Sequence, residues 1–577
     1  MYKRVLVTIL LVLFVTASLF AATTGKIRGV VKDRETKEPL PGANVIITNT
    51  SMGAATDING EFIILNVPVG LYSLRTSFVG YRTVTVSNVK VSVDLTTSVN
   101  IDLPSEALEG QEITIVAQRP LVDKNETHEI HSIRTEDMQN LPLRGTAAAL
   151  NIMPGVVDDD GIHIRGGRSN ELAYYVDGVN VTMGNGDNGL TVIHNAIEEV
   201  SYHAGGFGAE FGTRMSGQMF TTLKSGTSDY KFGGEVISDD FWAVKSETEG
   251  YRILGIPELY SYGYDDYVLH ASGPLPGYDK LRFYAAGQRY WRGSGTAWFE
   301  GFKETDDAFA YNTFTTTGLD AGTSMTDTVR LGMNIAPGRY PGYSQTGWTF
   351  NGNMVWDLKA LRVKVGGTYN AQRYQDGATE PTILLVDPAR QYLYKYNNYS
   401  AYVNLTHTVN PTMYYTLNVN MFTNQNKSGD PWLGWDRADW PSWGDPIVNP
   451  ALADTSQIKS LNAPGNFTMS MPGTPMATFE KNYTNLMGGK LDITKQVGSS
   501  HEFKVGGEVN YYTLRRYSIN ARNYLARQYT ASKVAGTANY MTDWDFYRGL
   551  YPVFIGYDIH GEKEVNEYEF YASNIGD

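Results

Sequence analysis

The sequence contains no cysteine. That excludes a disulfide framework, a thiolate zinc site, a cysteine nucleophile and a lipid anchor built on an N-terminal cysteine. Charge is scarce: Lys, Arg, Asp and Glu make up 19% of 577 residues, against about 25% in an average protein. The balance is acidic, with 48 Lys and Arg against 61 Asp and Glu. A nucleic-acid partner is thereby disfavoured, because phosphate binding needs clustered cations. Beyond residue 22 no apolar run approaches the 18 or so residues of a membrane-spanning helix. Catalytic signatures are missing too. No Gly-x-Ser-x-Gly elbow and no phosphate loop ending in Gly-Lys-Ser/Thr occurs. His128 and His131 stand three apart, the wrong spacing for a helical zinc pair. Asp158-Asp159-Asp160-Gly161 lacks the alternation of a calcium loop and reads as a solvated loop. No catalytic residue, metal ligand or cofactor is therefore expected.

What is abundant is glycine, 59 residues, and tyrosine, 39 residues. Aromatics fill pleated surfaces and glycine supplies positive φ in turns, so the chain is expected to be mainly β. Residues 1–22 carry Lys3 and Arg4, then an apolar run ending in the small residues Ala21 and Ala22. This is the grammar of an export signal. Residues 25–103 alternate short β-type runs with turn signals and read as a small sandwich. The Asp57-Ile58-Asn59-Gly60-Glu61 stretch is read as an Asx turn in preference to a cation site. Gly29-Val30-Val31-Lys32-Asp33, Pro41-Gly42-Ala43-Asn44-Val45, Thr56–Phe62 and Gly80-Tyr81 resemble the carboxypeptidase regulatory-like domain. That resemblance implies a transthyretin-like β-sandwich and not a peptidase.

Residues 105–227 form a second, glycine-dense segment. It opens with Glu112, Ile113, Thr114, Ile115, Val116 and Ala117, a β-prone run flanked by Glu109-Gly110 and Gln118-Arg119-Pro120. Such a run is either a strand offered to a partner's sheet or an ordinary edge strand of its neighbour. Motifs then follow in order: Leu141–Arg144, Leu150–Val156 with Pro154 and Gly155, and Ile164–Arg168 with Arg165, Gly166 and Gly167. Next come Tyr175–Val179 with Asp177 and Gly178, Ile197–Val200 with Glu198 and Glu199, and Gly205–Gly212 with Glu210 and Gly212. Together they resemble the plug domain of TonB-dependent outer-membrane receptors. The resemblance implies an α+β plug, and it puts Glu112–Ala117 where that family carries its TonB box. From the residues alone, Asp177-Gly178 suits a tight hairpin turn, and the Gly pairs permit close backbone approach to a surrounding wall. Arg165, Arg168, Glu198, Glu199 and Glu210 are either plug–barrel ion pairs or solvated charges.

Residues 230–577 alternate apolar and polar positions strand after strand. Trp348, Phe350, Met354 and Trp356 interleave with Thr349, Asn351 and Asn353, and the same pattern recurs at 361–369, 401–406, 413–421, 487–493 and 503–511. Connections alternate short and long, as in outer-membrane barrels with lipid outside and a polar interior. Trp432, Trp435, Trp440 and Trp443 crowd into one long connection, where they either stack on a flat ligand or hold the loop together. About ten strands are expected here against about 22 in plugged transporters, so the segment reads as the first part of a transmembrane antiparallel barrel. The chain is accordingly expected to be an N-terminal fragment of a protein of about 900 residues or more.

The resemblance implies a receptor that is not an enzyme and that imports a scarce nutrient across the outer membrane of a Gram-negative-type bacterium. Its partners would be outer-membrane lipid, a small ligand (a siderophore, a glycan or another nutrient), and TonB with its inner-membrane energising complex. A surface lipoprotein is a further candidate partner. The sandwich and the TonB box would lie in the periplasm. SusC-like glycan importers share the order of sandwich and plug, but Ile115-Val116-Ala117-Gln118-Arg119 stands where they carry Val-Val-Gly-Tyr-Gly-Thr. The rival reading is a cell-surface glycan-binding or adhesion protein whose sandwich is the binding module.

Overall fold

The computed structural model describes residues 24–48, 50, 52–92, 95–105, 113–116, 130–138, 144–159, 161–184, 186–204, 216–239, 243–246, 250–253, 261, 263–293, 302–304, 314–317, 324–327, 331–333, 344–358, 360–375, 392–410, 412–431, 460–463, 467–470, 478–498, 501–520 and 553–555. The expected export signal at residues 1–22, Glu112, Ala117, Glu210, Gly212 and the cluster Trp432, Trp435, Trp440 and Trp443 lie outside the described residues.

The first unit is a two-sheet sandwich. One sheet has the order β4-β1-β7, with β8 also on β1: β1 is Thr24–Asp33, β4 Glu61–Pro68, β7 Thr96–Ser98 and β8 Ile101–Leu103. The other has the order β3-β2-β5-β6-β9, from β2 (Asn44–Ile47), β3 (Gly53–Ala55), β5 (Gly70–Ser77), β6 (Val84–Val91) and β9 (Ile113–Val116). Period-two alternation drives the packing: Ile27 and Val31, Val45 and Ile47, Phe62 and Ile64, and Val84 and Val86 are all buried between the sheets. The Asx turn is present, since Asp57 Oδ1 accepts the N–H groups of Asn59 at 2.9 Å and Glu61 at 2.8 Å. Gly60 follows it with φ +71°, and a Cβ there would stand 2.6 Å from the Val31 carbonyl.

The second unit is a five-stranded sheet in the order β10-β15-β16-β13-β14. Its strands are β10 (Ile130–Arg134), β13 (Leu172–Val176), β14 (Val179–Asn180), β15 (Ile197–His203) and β16 (Gly217–Leu223). Helices α1 (Thr135–Met138) and α2 (Gly145–Asn151) and the hairpin β11 (Val156–Asp158) with β12 (Ile162–Ile164) complete it.

The third unit is a wall of antiparallel strands. In chain order it contains β17 (Lys231–Ser238), the short hairpin β18 (Ala243–Ser246) and β19 (Gly250–Ile253), β20 (Tyr264–Leu275) and β21 (Tyr278–Arg292). The short strands β22 (Phe302–Glu304), β23 (Phe314–Thr317), β24 (Ser324–Asp327) and β25 (Leu331–Met333) follow. Then come β26 (Ser344–Leu358), β27 (Leu361–Gln375), β28 (Leu393–Asn410) and β29 (Met413–Gly429). Last are the short β30 (Ser460–Ala463) and β31 (Phe467–Ser470), then β32 (Thr478–Val497), β33 (His501–Asn520) and β34 (Val553–Ile555). The ten-stranded order is β17-β20-β21-β26-β27-β28-β29-β32-β33-β34.

The hairpins β20–β21, β26–β27, β28–β29 and β32–β33 close in a few residues at one end of the wall. The connections at the other end are long. The β20–β21 hairpin was not picked out by periodicity, because Gly273-Pro274 and Ala285-Ala286-Gly287 dilute its alternation.

The wall is inside-out relative to a soluble sheet. On β26 the polar positions are covered, with Thr349, Asn351 and Asn353 at 0%, 3% and 4% exposure, while Trp348, Phe350 and Met354 are 49%, 48% and 53% exposed. Covered polar groups satisfy one another: Asn351 Nδ2 donates to Thr368 Oγ1 at 2.7 Å, and Asn370 Nδ2 to Thr349 Oγ1 at 2.9 Å. The plug covers this face. Its core of Leu150, Val176, Val181 and Tyr202 is continuous with Tyr402, Phe422 and Leu486 of the wall. At Gly189 a Cβ would come within 2.5 Å of Phe422 Cζ, so only glycine allows the plug backbone this approach.

One prediction concerns the sandwich. Asp33 and Tyr81, from two of the motifs noted above, meet there: the Tyr81 hydroxyl donates to Asp33 Oδ2 at 2.7 Å. Asp33 Oδ1 accepts the backbone N–H groups of Glu35 and Thr36 at 2.7 and 2.9 Å. The N–H of Thr36, then the Tyr81 hydroxyl, hold the Asp33 carboxyl below its ordinary value. A depressed folded pKa contributes stability above the unfolded value and loses it as pH falls through the folded one. Urea melts of residues 24–116 should therefore show midpoints falling below about pH 4, and Asp33→Asn should flatten that acid slope while lowering the neutral-pH midpoint. An unchanged slope would remove Asp33 from the account.

Candidate functional site: a plug anchored to the wall and to the sandwich

The Asp177-Gly178 turn links β13 and β14 with φ values of 48° and 84°. Positive φ at both central residues is the type I′ geometry that matches strand twist, and Asp followed by Gly is the pair that tolerates it. The turn aims the Asp177 side chain at the wall. Asp177 Oδ1 accepts the Leu223 N–H at 3.1 Å, tying the turn to β16. Oδ2 accepts Lys364 Nζ at 3.1 Å, and it also accepts the Tyr402 hydroxyl in a short hydrogen bond. Lys364 Nζ lies 5.6 Å from the centroid of the Tyr402 ring. Asp177, Lys364 and Tyr402 are 1%, 9% and 3% exposed, so this is a buried charged triad between plug and wall.

Neutral hydrogen bonds extend the seat. The Ile193 N–H donates to Asn351 Oδ1 at 2.9 Å, Asn353 Nδ2 to the Lys224 carbonyl at 2.8 Å, and the Tyr284 hydroxyl to the Asn195 carbonyl at 3.2 Å. Arg144, just ahead of α2, grips Glu235 of β17 through both terminal nitrogens at 2.8 and 2.7 Å. Its side chain is 31% exposed, so this bidentate pair adds less than the triad does.

The opposite side of the plug meets the sandwich. Arg134 ends β10 directly across from Glu199 of β15, and both are 1% exposed. Arg134 Nε lies 3.2 Å from Glu199 Oε2. Arg134 Nη2 donates to the Val91 carbonyl at 2.5 Å and to the Gly70 carbonyl at 3.4 Å, both in the sandwich. Ser92, following β6, donates its hydroxyl to Glu199 Oε2 at 2.8 Å. A guanidinium and a carboxylate from one plug edge thus clamp the ends of β5 and β6. Lys26 of the sandwich also reaches Glu502 at the short-turn end of the wall, at 2.6 Å.

The remaining expected site residues fall within the plug. The Pro154 carbonyl accepts a short hydrogen bond from the Tyr202 hydroxyl, and the Gly155 carbonyl accepts the Arg165 N–H at 2.9 Å. Arg165 is exposed and has φ +51°, beside Gly166 at φ +77°. At Gly167 a Cβ would sit 1.9 Å from Ser216 Oγ. Arg168 is exposed and its N–H donates to Glu171 at 3.3 Å, within the plug. Glu198 is half-buried and lines a cavity of about 460 Å³ shared by sandwich, plug and wall, near Tyr72, Arg362 and Lys364. Glu199 binds Arg134 and Ser92, which places its ion pair at the sandwich side of the plug. β9 pairs in parallel with β6, Ile113 to Val116 opposite Val84 to Ser87.

A second cavity, of about 250 Å³, opens at the long-connection end, where Asn188 of the plug faces Gln345, Gln372, Tyr396, Asn398 and Asn424 of the wall. None of its lining residues is charged. Among the described residues no group of three or more His, Asp or Glu could hold a metal ion.

Sequence reasoning missed Arg134, Lys364 and Tyr402. Asp177 was legible through its turn, but its wall partners lie 187 and 225 residues downstream. The triad gives a direct expectation. Asp177→Asn strands a buried ammonium, so plug seating should weaken by about 3–5 kcal/mol, and adding Lys364→Met should restore most of it. Hydrogen exchange of the β13 and β14 amides in detergent reads both; equal protection in the two variants would refute the triad's role.

Comparison with known proteins agrees with this layout. Residues 27–115 match the family model of the CarboxypepD_reg-like domain, and residues 123–217 match that of the TonB-dependent Receptor Plug Domain. The TonB-dependent transporter Oar of Myxococcus xanthus is 27% identical over 290 residues, 46% of this chain and 26% of that protein. The TonB-dependent receptor P26 of Formosa agariphila is 26% identical over 242 residues, 39% of this chain and 23% of that protein. The matches therefore span about a quarter of these relatives' length. Among solved structures, the outer membrane transporter YddB of Escherichia coli is 11% identical, with a TM-score of 0.42 over 68% of this chain and 49% of that one. The chain thus carries a CarboxypepD_reg-like domain followed by a TonB-dependent receptor plug domain, and its curated relatives are TonB-dependent transporters and receptors.

Proposed function

We propose that the chain supplies the periplasmic sandwich, the plug and part of the barrel of an outer-membrane receptor that imports a scarce nutrient. The observation that carries this reading is the inverted wall. Its bare face is aromatic and aliphatic, while its polar face is covered by a domain inserted against it. Lipid accommodates the first face and a plugged lumen the second.

In this reading the short-turn end of the wall, with the sandwich beside it, faces the periplasm, and the long connections face outward. Ligand binds at the long-connection face of the plug. The uncharged amide and phenol lining of the 250 Å³ cavity favours a neutral, hydrogen-bonding ligand over an anion. Glu112–Ala117 serves as the TonB box, and traction on it displaces the plug. The protein performs no bond chemistry; it binds, and another membrane supplies the energy.

Two experiments bear on the reading. Val419 is 50% exposed on the bare face of β29. Val419→Arg should cost about 2–4 kcal/mol on folding into phospholipid vesicles if that face meets lipid; a change near zero would argue for a soluble sheet. Native mass spectrometry of the full-length protein would identify a co-purifying ligand. With that ligand labelled, deletion of 113–116 should leave surface binding intact and stop uptake. Unimpaired uptake would sink the assignment of the TonB box.

A further inference from the structure

The candidate TonB box is not a free segment. As β9 it forms the outermost strand of the sheet β3-β2-β5-β6-β9, parallel to β6 through four residues. In a strand, successive residues turn their N–H and C=O groups to opposite sides, so roughly half of the β9 backbone groups point away from β6. Among the described residues no strand pairs with that outer edge. A second observation concerns β6 itself. Its first half carries β9, at Val84 to Ser87, and its far end carries the clamp to the plug, through the Val91 carbonyl and the Ser92 hydroxyl. One strand of the sandwich therefore touches both the candidate docking strand and the plug's buried Arg134–Glu199 pair.

We propose that the energising partner's strand adds to the free edge of β9 in place, as a sixth strand of the sandwich sheet, and that the sandwich carries the load into the plug through β6, Arg134 and Glu199. The proposal rests on the TonB-box reading of β9 and adds where and how that strand is used. Backbone pairing along the edge supplies affinity without first breaking the β6–β9 ladder. Because β9 and β6 run parallel, a pull along β9 loads their hydrogen bonds together in shear. The clamp then passes that load to β10 and β15, the edge of the plug sheet.

The absence of cysteine makes a clean test available. Thr85 and Thr114 are register partners on β6 and β9. In the full chain carrying Thr85→Cys and Thr114→Cys, oxidation can form only that one disulfide, which fixes β9 on the sandwich. The probe is the purified periplasmic domain of the host's TonB. Its affinity for this variant should differ by less than about threefold between the oxidised and reduced forms. A loss of more than about tenfold on oxidation, reversed by dithiothreitol, would mean that β9 must leave β6, and would overturn in-place addition. Deletion of 113–116 separates the two ideas: binding that survives it refutes the TonB-box reading itself, whatever the disulfide does.

The load path has its own readout. With the TonB domain as the handle in force spectroscopy, Arg134→Met combined with Glu199→Met should let the sandwich detach at lower force. A trace identical to that of the unaltered chain would remove the clamp from the load path.

Discussion

The structure depends on how the wall disposes of its polar face. Strands β26 to β29 place Thr349, Asn351, Asn370, Asn398, Asn418 and their neighbours on one side and leave the aromatic and aliphatic side bare. In water such a sheet would collapse the other way. It becomes stable when the bare side meets a medium as apolar as itself and the polar side finds hydrogen-bonding partners. The plug supplies part of those partners, as Asn351 accepting from Ile193 and Asn353 donating to the Lys224 carbonyl illustrate. Along the first half of β33, residues 501–509, both faces are open, whereas Arg515 and Tyr517 further on are buried. The plug is thus a component of the wall's polar bookkeeping as well as an obstruction.

The plug's two anchors differ in kind. Toward the wall, Asp177 concentrates three contacts on one carboxylate: a backbone N–H from its own sheet, an ammonium and a phenol. Burial makes the charged pair strong only while complete, since removing either Asp177 or Lys364 leaves the other's charge buried and unpaired. Arg144 and Glu235, with a third of their side chains exposed, can separate into water at little cost. The seat is not polar alone: Tyr402, Phe422 and Leu486 of the wall belong to the same buried apolar cluster as Val176, Val181 and Tyr202 of the plug, so the discrete charged contacts sit beside an apolar one.

Much of this was legible in the sequence, and what was not has a physical reason. The sandwich strands, the Asx turn at Asp57, the Asp177-Gly178 turn and the inner and outer alternation of β26 to β29 all follow from local periods and turn chemistry. Partners separated by long stretches do not. Nothing around Lys364 distinguishes it from any inward-facing polar residue, and Arg134 sits in Ile130–Arg134 without a period that marks it for burial. For Glu199 the sequence left a plug–barrel ion pair and a solvated charge both open; the residue is buried with Arg134 as its cross-strand neighbour, on the sandwich side of the plug. For Glu112–Ala117, the sequence left a free strand and an edge strand both open. The decision lay with the edge of β6, a property of the folded sandwich.

The junction between sandwich and plug follows from the same reasoning. Among the described residues the apolar core of the sandwich and that of the plug form separate clusters. Among the described residues Arg134, Glu199, Ser92 and two backbone carbonyls make buried polar contacts between them. An apolar junction of similar extent would expose hydrophobic surface on both halves whenever it opened. A polar one gives back groups that water can solvate, so the halves can part without aggregating and find the same register again, because a guanidinium between two carbonyls and a carboxylate has few equivalent positions. Burial makes the clamp specific, and its polarity makes it reversible. That combination is what the proposed load-bearing joint between sandwich and plug requires.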